Sequence, residues 1–314
     1  MKIASHTPDS AAVVVVGDVM VDTFVITDRP LTSGEDHPMR SLRRVGGQAA
    51  NTSAWLAWAG TPVYLVAVCG DDAEGDWAEQ SLASVGVRTR LVRDGGSTGS
   101  CLVIVDSTRE RTMFSSPGAN SVIAEVGRHQ VEGVWNSLGS TALTHLHLSG
   151  YLLDRDPMLA VDLARHAPKN ATVSIDTAAF HPNSDHRRAL ADLIAHLDVL
   201  IGTADELSAF SDSSVNADVA SLARTWRDRF NGVVVVKQGS AGASVLADGE
   251  LLQASALPTE VVDTTGAGDA FTAGFLAAWI LDHAGLTQAL RSGVEAASQA
   301  VGRIGAAPPA QEGR

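Results

Sequence analysis

Short apolar segments rich in valine alternate with helical segments along most of the 314-residue chain. Strand-like runs are predicted at 11–16, 64–69, 144–148, 172–175, 199–201 and 233–236. Continuous apolar runs of this length are typical of strands that are buried on both faces, as in parallel sheets covered by helices. The alternation therefore predicts an α/β fold with a doubly wound, mainly parallel sheet flanked by helices.

The segment from Val87 to Ser115 differs because no helical pattern interrupts it. Strands are predicted at 87–92, 100–105 and 111–114, and a turn at 107–110 joins the last two. Consecutive strands without an intervening helix favour antiparallel pairing. We therefore expect a single domain over residues 1–314 with a small β-sheet lid inserted in it, formed by strands from about 17–45 and 87–115.

Residues 263–269 read Asp-Thr-Thr-Gly-Ala-Gly-Asp, and an Ala-rich helical run follows them. The first amides of a helix have no intrahelical acceptor, and with the helix dipole they form an anion site that glycine leaves accessible. A carboxylate such as Asp269 repels a bound phosphate, but it fits a general base that accepts a proton from an attacking hydroxyl. Asp is also common at helix N-termini, so these residues alone leave both interpretations open.

Polar residues follow other predicted strands, where the carboxyl ends of parallel strands usually form ligand sites. Asp18 and Asp22 follow the first strand and could bind sugar hydroxyls, although turn formation is the alternative. Gly46 and Gly47 precede a predicted helix, in which Asn51 offers a donor and an acceptor to vicinal hydroxyls. The alternative for this segment is a glycine turn with a solvent-facing Asn.

Two more strand ends carry polar candidates. Thr203 and Glu206 have the spacing of a capping box, which accounts for both residues without a ligand. Lys237 follows a buried strand and is one of only three lysines, so its ammonium group could contact phosphate oxygens. His145 and His147 share one strand face, but they lack an obvious third metal ligand, which favours core or surface histidines.

Composition excludes several classes of function. The net charge of −13 argues against nucleic acid or an anionic membrane as the main partner. Cys69 and Cys101 imply no disulfide framework, and the N-terminus does not resemble a signal peptide, so we expect a cytoplasmic protein. The chain has no P-loop motif, and no G-x-G-x-x-G follows the first strand, which disfavours a dinucleotide dehydrogenase.

Residues 263–271 resemble the C-terminal signature of the ribokinase-like, or PfkB, carbohydrate kinases. The Gly-Gly-Gln-Ala-Ala-Asn sequence at 46–51 resembles their N-terminal signature, and segments 17–22, 203–206 and 237–242 follow in the family's order. The resemblance covers nearly the whole chain. It implies a central sheet flanked by helices, a small β lid over a sugar site, and ATP-dependent phosphorylation of a sugar hydroxyl.

The resemblance also implies roles for individual residues by position. Asp269 would be the catalytic base, and the anion hole would consist of the amides of Gly266, Ala267 and Gly268. The sugar would be held by Asp22, Gly46, Gly47 and Asn51. The nucleotide site would include Thr203, Lys237, Gly239 and Gly242. Glu206 would act on magnesium through water, while Asp263 and Thr265 match the start of a potassium site completed near 300–305.

Two positions depart from the family pattern. Gln48 stands where ribokinases proper have Lys, which puts ribose as substrate in doubt. Thr203 stands where many members have Asn, which puts direct nucleotide contact from this position in doubt.

The acidic sugar-site candidates predict a neutral, unphosphorylated monosaccharide, ribose- or fructose-like, because a carboxylate repels an anionic substrate. The neighbouring Arg40, Arg43 and Arg44 are interpreted as a solvated basic edge, although one of them could bind the carboxylate of a sugar acid. A nucleoside kinase is an alternative, for which Phe24 and Phe114 could contact the base. A non-catalytic sugar or nucleotide sensor is a third, which the intact Asp269 disfavours.

The lid strands also suggest how copies of the chain could associate. Val103, Val105 and Met113 are apolar residues that could pack on the sugar site or on a second lid. Because exposed apolar faces tend to be covered, we expect a homodimer through the lid.

Overall fold

The computed structural model describes residues 11–30, 32–107, 111–138, 143–178, 181–211, 218–247, 249–281 and 283–309. The strands in these ranges are β1 Ala11–Asp18, β2 Met20–Ile26, β3 Arg40–Gly46, β4 Val63–Gly70, β5 Arg88–Asp94, β6 Gly99–Val105, β7 Arg111–Ser116, β8 Leu143–Ser149, β9 Thr172–Asp176, β10 Val199–Thr203, β11 Val233–Lys237, β12 Ala243–Ala247 and β13 Glu250–Ala254. The α-helices are α1 Gln48–Trp58, α2 Ala73–Ser84, α3 Gly127–Leu138, α4 Tyr151–Arg155, α5 Pro157–Arg165, α6 Ser184–Leu193, α7 Ala204–Ser211, α8 Val219–Arg227, α9 Ala267–Leu276 and α10 Leu286–Val301.

Nine strands form the main sheet, in the order β13-β12-β11-β10-β9-β8-β1-β4-β5. From β11 to β5 in this order, neighbouring strands pair in parallel, and the antiparallel pairs are β11–β12 and β12–β13. The valines of β1 explain its central place: Val14 and Val16 pack into one apolar cluster, whereas Val13 and Val15 pack into the cluster on the opposite face. A strand that is buried on both faces needs an apolar side chain at every position. The predicted doubly wound sheet is confirmed.

A second sheet has the order β3-β2-β6-β7 and forms the lid. One prediction about this region is wrong. The strand predicted at 87–92 is β5, which pairs in parallel with β4 at the edge of the main sheet and is not part of the lid. The predicted antiparallel pairing of the next two strands, β6 and β7, is confirmed; β2 and β3 also pair antiparallel, and β2 and β6 pair in parallel. The absence of an intervening helix misled the assignment because β5 reaches β6 through a short turn between two different sheets.

Several helix boundaries also differ from the predictions. The helix predicted over 124–138 begins as a 3-10 segment, Gly118–Val126, before α3. The helix predicted over 216–230 is observed as α8, and residues 212–217 lie outside the described ranges, as do residues 108–110 of the predicted turn. No helix in the described ranges is both long and apolar enough to cross a membrane.

His145 and His147 lie on β8, are fully buried, and are part of the core. His145 contacts Thr172 Oγ1 at 2.7 Å and Ser174 Oγ at 2.8 Å, and His147 contacts the same Ser174 oxygen at 2.8 Å. Burial lowers the pKa of His145 well below its usual value and that of His147 to about 4, so both rings are neutral at pH 7. The interpretation as core histidines is confirmed, and the described residues contain no cluster suited to a metal ion.

Candidate active site

A cavity of about 600 Å³ lies between the carboxyl ends of the main-sheet strands and the lid. The main sheet and the residues just after its strands contribute Asp18, Thr177, Thr203 and Lys237, and the lid contributes Met20, Asp22, Cys101, Arg111, Met113 and Ser115. The cavity is further lined by Gly47, Gln48, Asn51, Gly266, Gly268 and Asp269. Both sequence signatures, which are more than 200 residues apart, therefore meet at one site.

Asp269 lies in the first turn of α9 and faces the first turn of α1. Its Oδ2 accepts a hydrogen bond of 2.8 Å from Nδ2 of Asn51. Burial raises the pKa of Asp269 to about 7, and the Asn51 hydrogen bond opposes that shift by stabilising the carboxylate. A carboxyl group that titrates near neutral pH is suited to general-base chemistry.

Two backbone amides at the start of α9 are available to an anion. Gly266 has a left-handed φ of 74°, and a Cβ there would lie 2.3 Å from Ala306 Cβ, so the turn requires glycine. Within the described part of the chain, the amides of Gly266 and Gly268 have no acceptor, whereas the Ala267 amide donates to Thr264 O at 3.3 Å. The free amides and the helix dipole make this turn attractive to a phosphate.

The side chain of Lys237 lies close to this turn. A Cβ at Gly268 would be 3.2 Å from Lys237 Nζ, which shows how closely the ammonium group approaches the backbone. Lys237 Nζ also donates to both carboxylate oxygens of Asp176, at 2.7 and 2.8 Å, and Asp176 Oδ2 accepts from Thr272 Oγ1 at 2.5 Å. The ammonium group of Lys237 is thus held by a fully buried carboxylate, a partner that the sequence analysis did not identify.

Asp18 holds the N-terminus of α1. It accepts from the amides of Gln48 and Ala49 at 2.9 and 3.3 Å, and from Ser149 Oγ at 2.9 Å. Gly47 makes this approach possible with a φ of 98°, because a Cβ there would lie 2.6 Å from the Asp18 carbonyl oxygen. Asp18 thus caps α1, a role that differs from the turn formation considered from the sequence, and it also lines the cavity.

Gln48 is fixed by hydrogen bonds on both ends of its amide. Oε1 accepts from the Gly150 amide at 2.9 Å and lies 2.7 Å from Ser149 Oγ, while Nε2 donates to Thr177 O at 3.2 Å. The side chain lines the cavity but connects α1 to the loops after β8 and β9. Its amide supplies no cation at the position where the family pattern has Lys.

Asp22 is placed on lid strand β2, not at the main-sheet edge that the sequence suggested. Its carboxylate covers Gly46, where a Cβ would lie 2.2 Å from Asp22 Oδ2. Burial, reinforced by Asp18 and Asp263, raises the pKa of Asp22 to about 7. No hydrogen bond to this carboxylate exists among the described residues, so its oxygens are available to a ligand in the cavity.

Thr203 and Glu206 form the predicted capping box at the start of α7. Glu206 Oε2 accepts from the Thr203 amide at 2.9 Å, and the Glu206 amide donates to Thr203 Oγ1 at 3.2 Å. Thr177 Oγ1 donates to the same Oε2 at 3.0 Å, and burial raises the pKa of Glu206. Both residues still line the cavity, so capping does not exclude contact with a ligand.

Several predicted site residues do not line the cavity. Gly239 and Gly242 bound a 3-10 turn after β11 and have positive φ values of 57° and 98°. Gly46, Ala267 and Asp263 are likewise absent from the cavity wall. Asp263 and Thr265, predicted to bind potassium, instead contact the guanidinium group of Arg111.

Arg40, Arg43, Arg44, Phe24 and Phe114, which the sequence offered as possible substrate contacts, do not line the cavity. Arg43 pairs with Glu74 at 2.8 Å and stacks on Trp77, which supports the interpretation of a solvated basic edge. Phe24 is fully buried in the lid with Cys101 and Val103, and Phe114 is 59% exposed. Neither ring lines the cavity, so the structure offers no support for base stacking on them.

Arg111, Tyr151 and Arg155 are among the cavity residues that the sequence analysis did not identify. Burial, with Asp18 and Asp269 nearby, raises the pKa of Tyr151 to about 12, so its hydroxyl stays protonated. Arg155 pairs with Asp154 at 3.1 Å. Tyr151 and Arg155 lie on α4, directly after β8, so the rule that ligand residues follow parallel strands could have found them. No such signal marks Arg111.

The residues fit a magnesium–nucleotide ligand in part. Magnesium commonly binds through one or two carboxylates, water and substrate phosphates, so a three-residue protein cluster is not required. Glu206 supplies a carboxylate near Lys237, and the free amides of Gly266 and Gly268 lie on the same cavity. This donor set is suited to a phosphate with an associated divalent cation.

Known proteins resemble the chain over nearly its full length. A sequence model described as pfkB family carbohydrate kinase matches residues 10–312. The ATP-dependent ribose-1-phosphate kinase of Halopiger xanaduensis is 30% identical over 298 residues, which cover 90% of this chain and 93% of the relative.

Solved structures show the same architecture. Ribokinase from Thermotoga maritima matches with a TM-score of 0.80 and 24% identity, covering 96% of this chain and 97% of that one. Arabidopsis thaliana ribokinase, complexed with ribose and ATP, matches with a TM-score of 0.75 and 24% identity over 95% and 96% of the two chains. The fold is therefore ribokinase-like, and the protein belongs to the pfkB family carbohydrate kinases, which are phosphotransferases with an alcohol group as acceptor.

Proposed function

We propose that the protein transfers the γ-phosphoryl group of ATP to a hydroxyl of a neutral monosaccharide, ribose- or fructose-like. The observation that carries this proposal is the buried Asp269 carboxyl group, with a pKa of about 7, beside free helix amides. A proton acceptor and an anion site therefore lie next to each other on the wall of one cavity. Ribokinase from Haemophilus influenzae and fructokinase from Klebsiella pneumoniae, 27% and 29% identical to this chain, support a neutral sugar as substrate.

Asp269 accepts the proton of the attacking hydroxyl in this proposal, and Asn51 orients the carboxylate through its 2.8 Å hydrogen bond. The amides of Gly266 and Gly268 stabilise charge on the transferred group, and the Lys237 ammonium group lies close to Gly268. Phosphoryl transfer depends mainly on positioning and charge neutralisation, which these groups supply. Magnesium, when bound with ATP, would neutralise phosphate charge, with Glu206 acting through water.

The lid completes the sugar side of the site. Asp22 faces the cavity with free acceptor oxygens, and Met20 and Met113 add apolar surface from the same sheet. Such a lid excludes water that would otherwise hydrolyse ATP. The acceptor oxygens of Asp22 and the absence of Arg40, Arg43 and Arg44 from the cavity favour a neutral sugar over an anionic one.

An anionic sugar is the second candidate, because Arg155 lines the cavity and the Halopiger relative is a ribose-1-phosphate kinase. Comparing kcat/KM for ribose, fructose, ribose 1-phosphate, 2-keto-3-deoxygluconate and adenosine tests the proposal. We expect ribose or fructose to be preferred. A preference of about tenfold, or ~1.4 kcal/mol, for an anionic compound contradicts neutral-sugar specificity, and the same preference for adenosine favours a nucleoside kinase.

A further inference from the structure

Arg111 connects the lid to the loop that precedes the anion hole. Its Nη1 donates to Asp263 Oδ1 at 3.0 Å and to Thr265 Oγ1 at 2.5 Å. Its Nη2 donates to Thr264 Oγ1 at 2.5 Å. Arg111 is the first residue of β7, so a guanidinium carried by the lid contacts three successive residues immediately before Gly266.

The Asp263 carboxylate is surrounded by hydrogen-bond donors. Besides the guanidinium, Oδ1 accepts from the amide and hydroxyl of Thr265 at 2.9 and 2.7 Å. Oδ2 accepts from the Gly305 amide at 2.8 Å. The Asp263 side chain is only 6% exposed. Two carboxylate oxygens offer about four lone-pair sites, and three donors on Oδ1 leave that oxygen without free capacity.

These contacts do not fit the potassium ion that the family resemblance implies at Asp263 and Thr265. A potassium ion needs oxygen atoms with free lone pairs, whereas N–H and O–H hydrogens here point at the carboxylate. The ion would also lie beside a guanidinium of the same charge, which repels it at this short distance. The segment predicted to complete the site instead supplies the Gly305 amide, a donor.

We propose that Arg111 is a positioning residue that takes the place of a monovalent cation at Asp263. Its fixed charge neutralises the buried carboxylate, and its fork of donors orders Thr264 and Thr265 so that the amides of Gly266 and Gly268 face the cavity. Arg suits this role because its guanidinium is always charged and presents several donors in one plane. The protein therefore works without potassium, and its anion hole is ordered only when β7 is in place.

The first test measures cation binding and needs no activity. Thermal unfolding of the wild type is compared in potassium, sodium and choline chloride at equal ionic strength. We expect equal Tm values, because an ion stabilises the folded state only where it binds. We expect Arg111→Ala to be stabilised by potassium or by low guanidinium chloride, since Asp263 Oδ1 is then free. Selective stabilisation of the wild type by potassium, or an Arg111→Ala protein indifferent to both cations, overturns the proposal.

The second test uses turnover, and this arm alone rests on the proposed kinase activity. The wild type is expected to have the same kcat in all three salts. Arg111→Ala should lose about tenfold or more of kcat in choline, the typical cost of losing hydrogen bonds to a charged group, and regain part of it with guanidinium. Arg188→Ala, which removes a 73% exposed arginine from α6, is the matched control and should change nothing.

Potassium activation of the wild type, or an Arg111→Ala variant with wild-type kcat in choline, contradicts the proposal. If no substrate is turned over, the proposed function fails, and the unfolding comparison still tests Arg111. If Arg111→Ala does not fold, the comparison of wild-type Tm values in potassium, sodium and choline chloride tests the proposal.

Discussion

Asn51 Nδ2 donates a 2.8 Å hydrogen bond to Asp269 Oδ2, which joins the first turns of α1 and α9 across the cavity. The two residues are 218 positions apart in the chain and come from the two separate sequence signatures. Because the donated hydrogen bond stabilises the carboxylate, Asn51 opposes the increase in pKa that burial imposes on Asp269. The contact thus links Asn51, a candidate sugar-binding residue, directly to Asp269, the candidate base.

The activity of the wild type should fall as pH decreases through about 7, the pKa of Asp269. A general base acts in its ionised form, and protonation below this pKa removes it. The measurement is the pH profile of kcat/KM, with one ionisation on the acid limb. Asp22 also has a pKa of about 7, so the profile of Asp22→Asn is the control. If the acid limb disappears in Asp22→Asn, the limb belongs to Asp22.

Asn51→Ala should move the acid limb of kcat to higher pH, because Asp269 loses the hydrogen bond that stabilises its charged form. The sugar KM should also rise by about tenfold or more, as expected for a lost polar contact. Ser53→Ala, on the same helix, removes only a hydrogen bond to the Ala49 carbonyl and is the control. An unchanged acid limb in Asn51→Ala would mean that the limb reports another group.

Asp269→Asn should lower kcat by ~10²–10⁴-fold, because an amide of the same shape cannot accept the hydroxyl proton. ATP affinity, measured by calorimetry, should be retained. Asp205→Asn, an exposed acid at the start of α7, should leave kcat unchanged. Near wild-type turnover in Asp269→Asn would remove the base assignment.

Asp269→Asn should also stabilise the folded protein above neutral pH. The folded-state pKa of about 7 exceeds the ordinary 3.8, so the folded protein binds the proton more tightly than the unfolded chain. The free energy of unfolding therefore falls as pH rises from about 4 to 7. Above pH 7 the buried, ionised carboxylate of Asp269 continues to destabilise the folded state. Asp269→Asn removes that cost, so its Tm should exceed that of the wild type at pH 8 but not at pH 4. Equal Tm differences at both pH values would contradict the raised pKa.

Lys237→Met should destabilise the fold by about 3–5 kcal/mol, because it leaves the buried Asp176 carboxylate without its ion-pair partner. Denaturant unfolding measures this change. Lys169→Met, at an exposed position, is the matched control. The double variant Lys237→Met with Asp176→Asn should recover part of the loss, since no charge is then buried. If the stability losses of the two single variants simply add in the double variant, the broken ion pair is not the cause of the destabilisation.

The predicted homodimer through the lid can be tested at its outer surface. Leu102 and Phe114 face each other across β6 and β7 and are 38% and 59% exposed, whereas Val103 is buried inside the lid. Exposed apolar pairs of this kind favour association. Light scattering should give a dimer mass for the wild type and a monomer mass for Phe114→Asp. Met158→Asp, at a 65% exposed position on α5, should leave the mass unchanged. A monomeric wild type contradicts the prediction.

Local sequence determined the fold class and the glycine–aspartate turn at α9. The valines of β1 predict a strand buried on both faces, and the Thr203–Glu206 spacing predicts a capping box, because each pattern depends on neighbouring positions. The same locality explains the error at β5, since strand direction and sheet membership depend on pairing partners that sequence does not display.

Tertiary structure alone decided which distant side chains meet. Lys237 is paired with Asp176, which is 61 positions away, and Arg111 with Asp263, which is 152 positions away. The strand-end rule could place Lys237 near a ligand, but it could not show that a buried carboxylate holds its ammonium group. Arg111 comes from the edge of a second sheet, so its contact with the α9 loop follows from how lid and main sheet are arranged. Pairing across such distances is set by packing of the whole chain, because no local pattern encodes it.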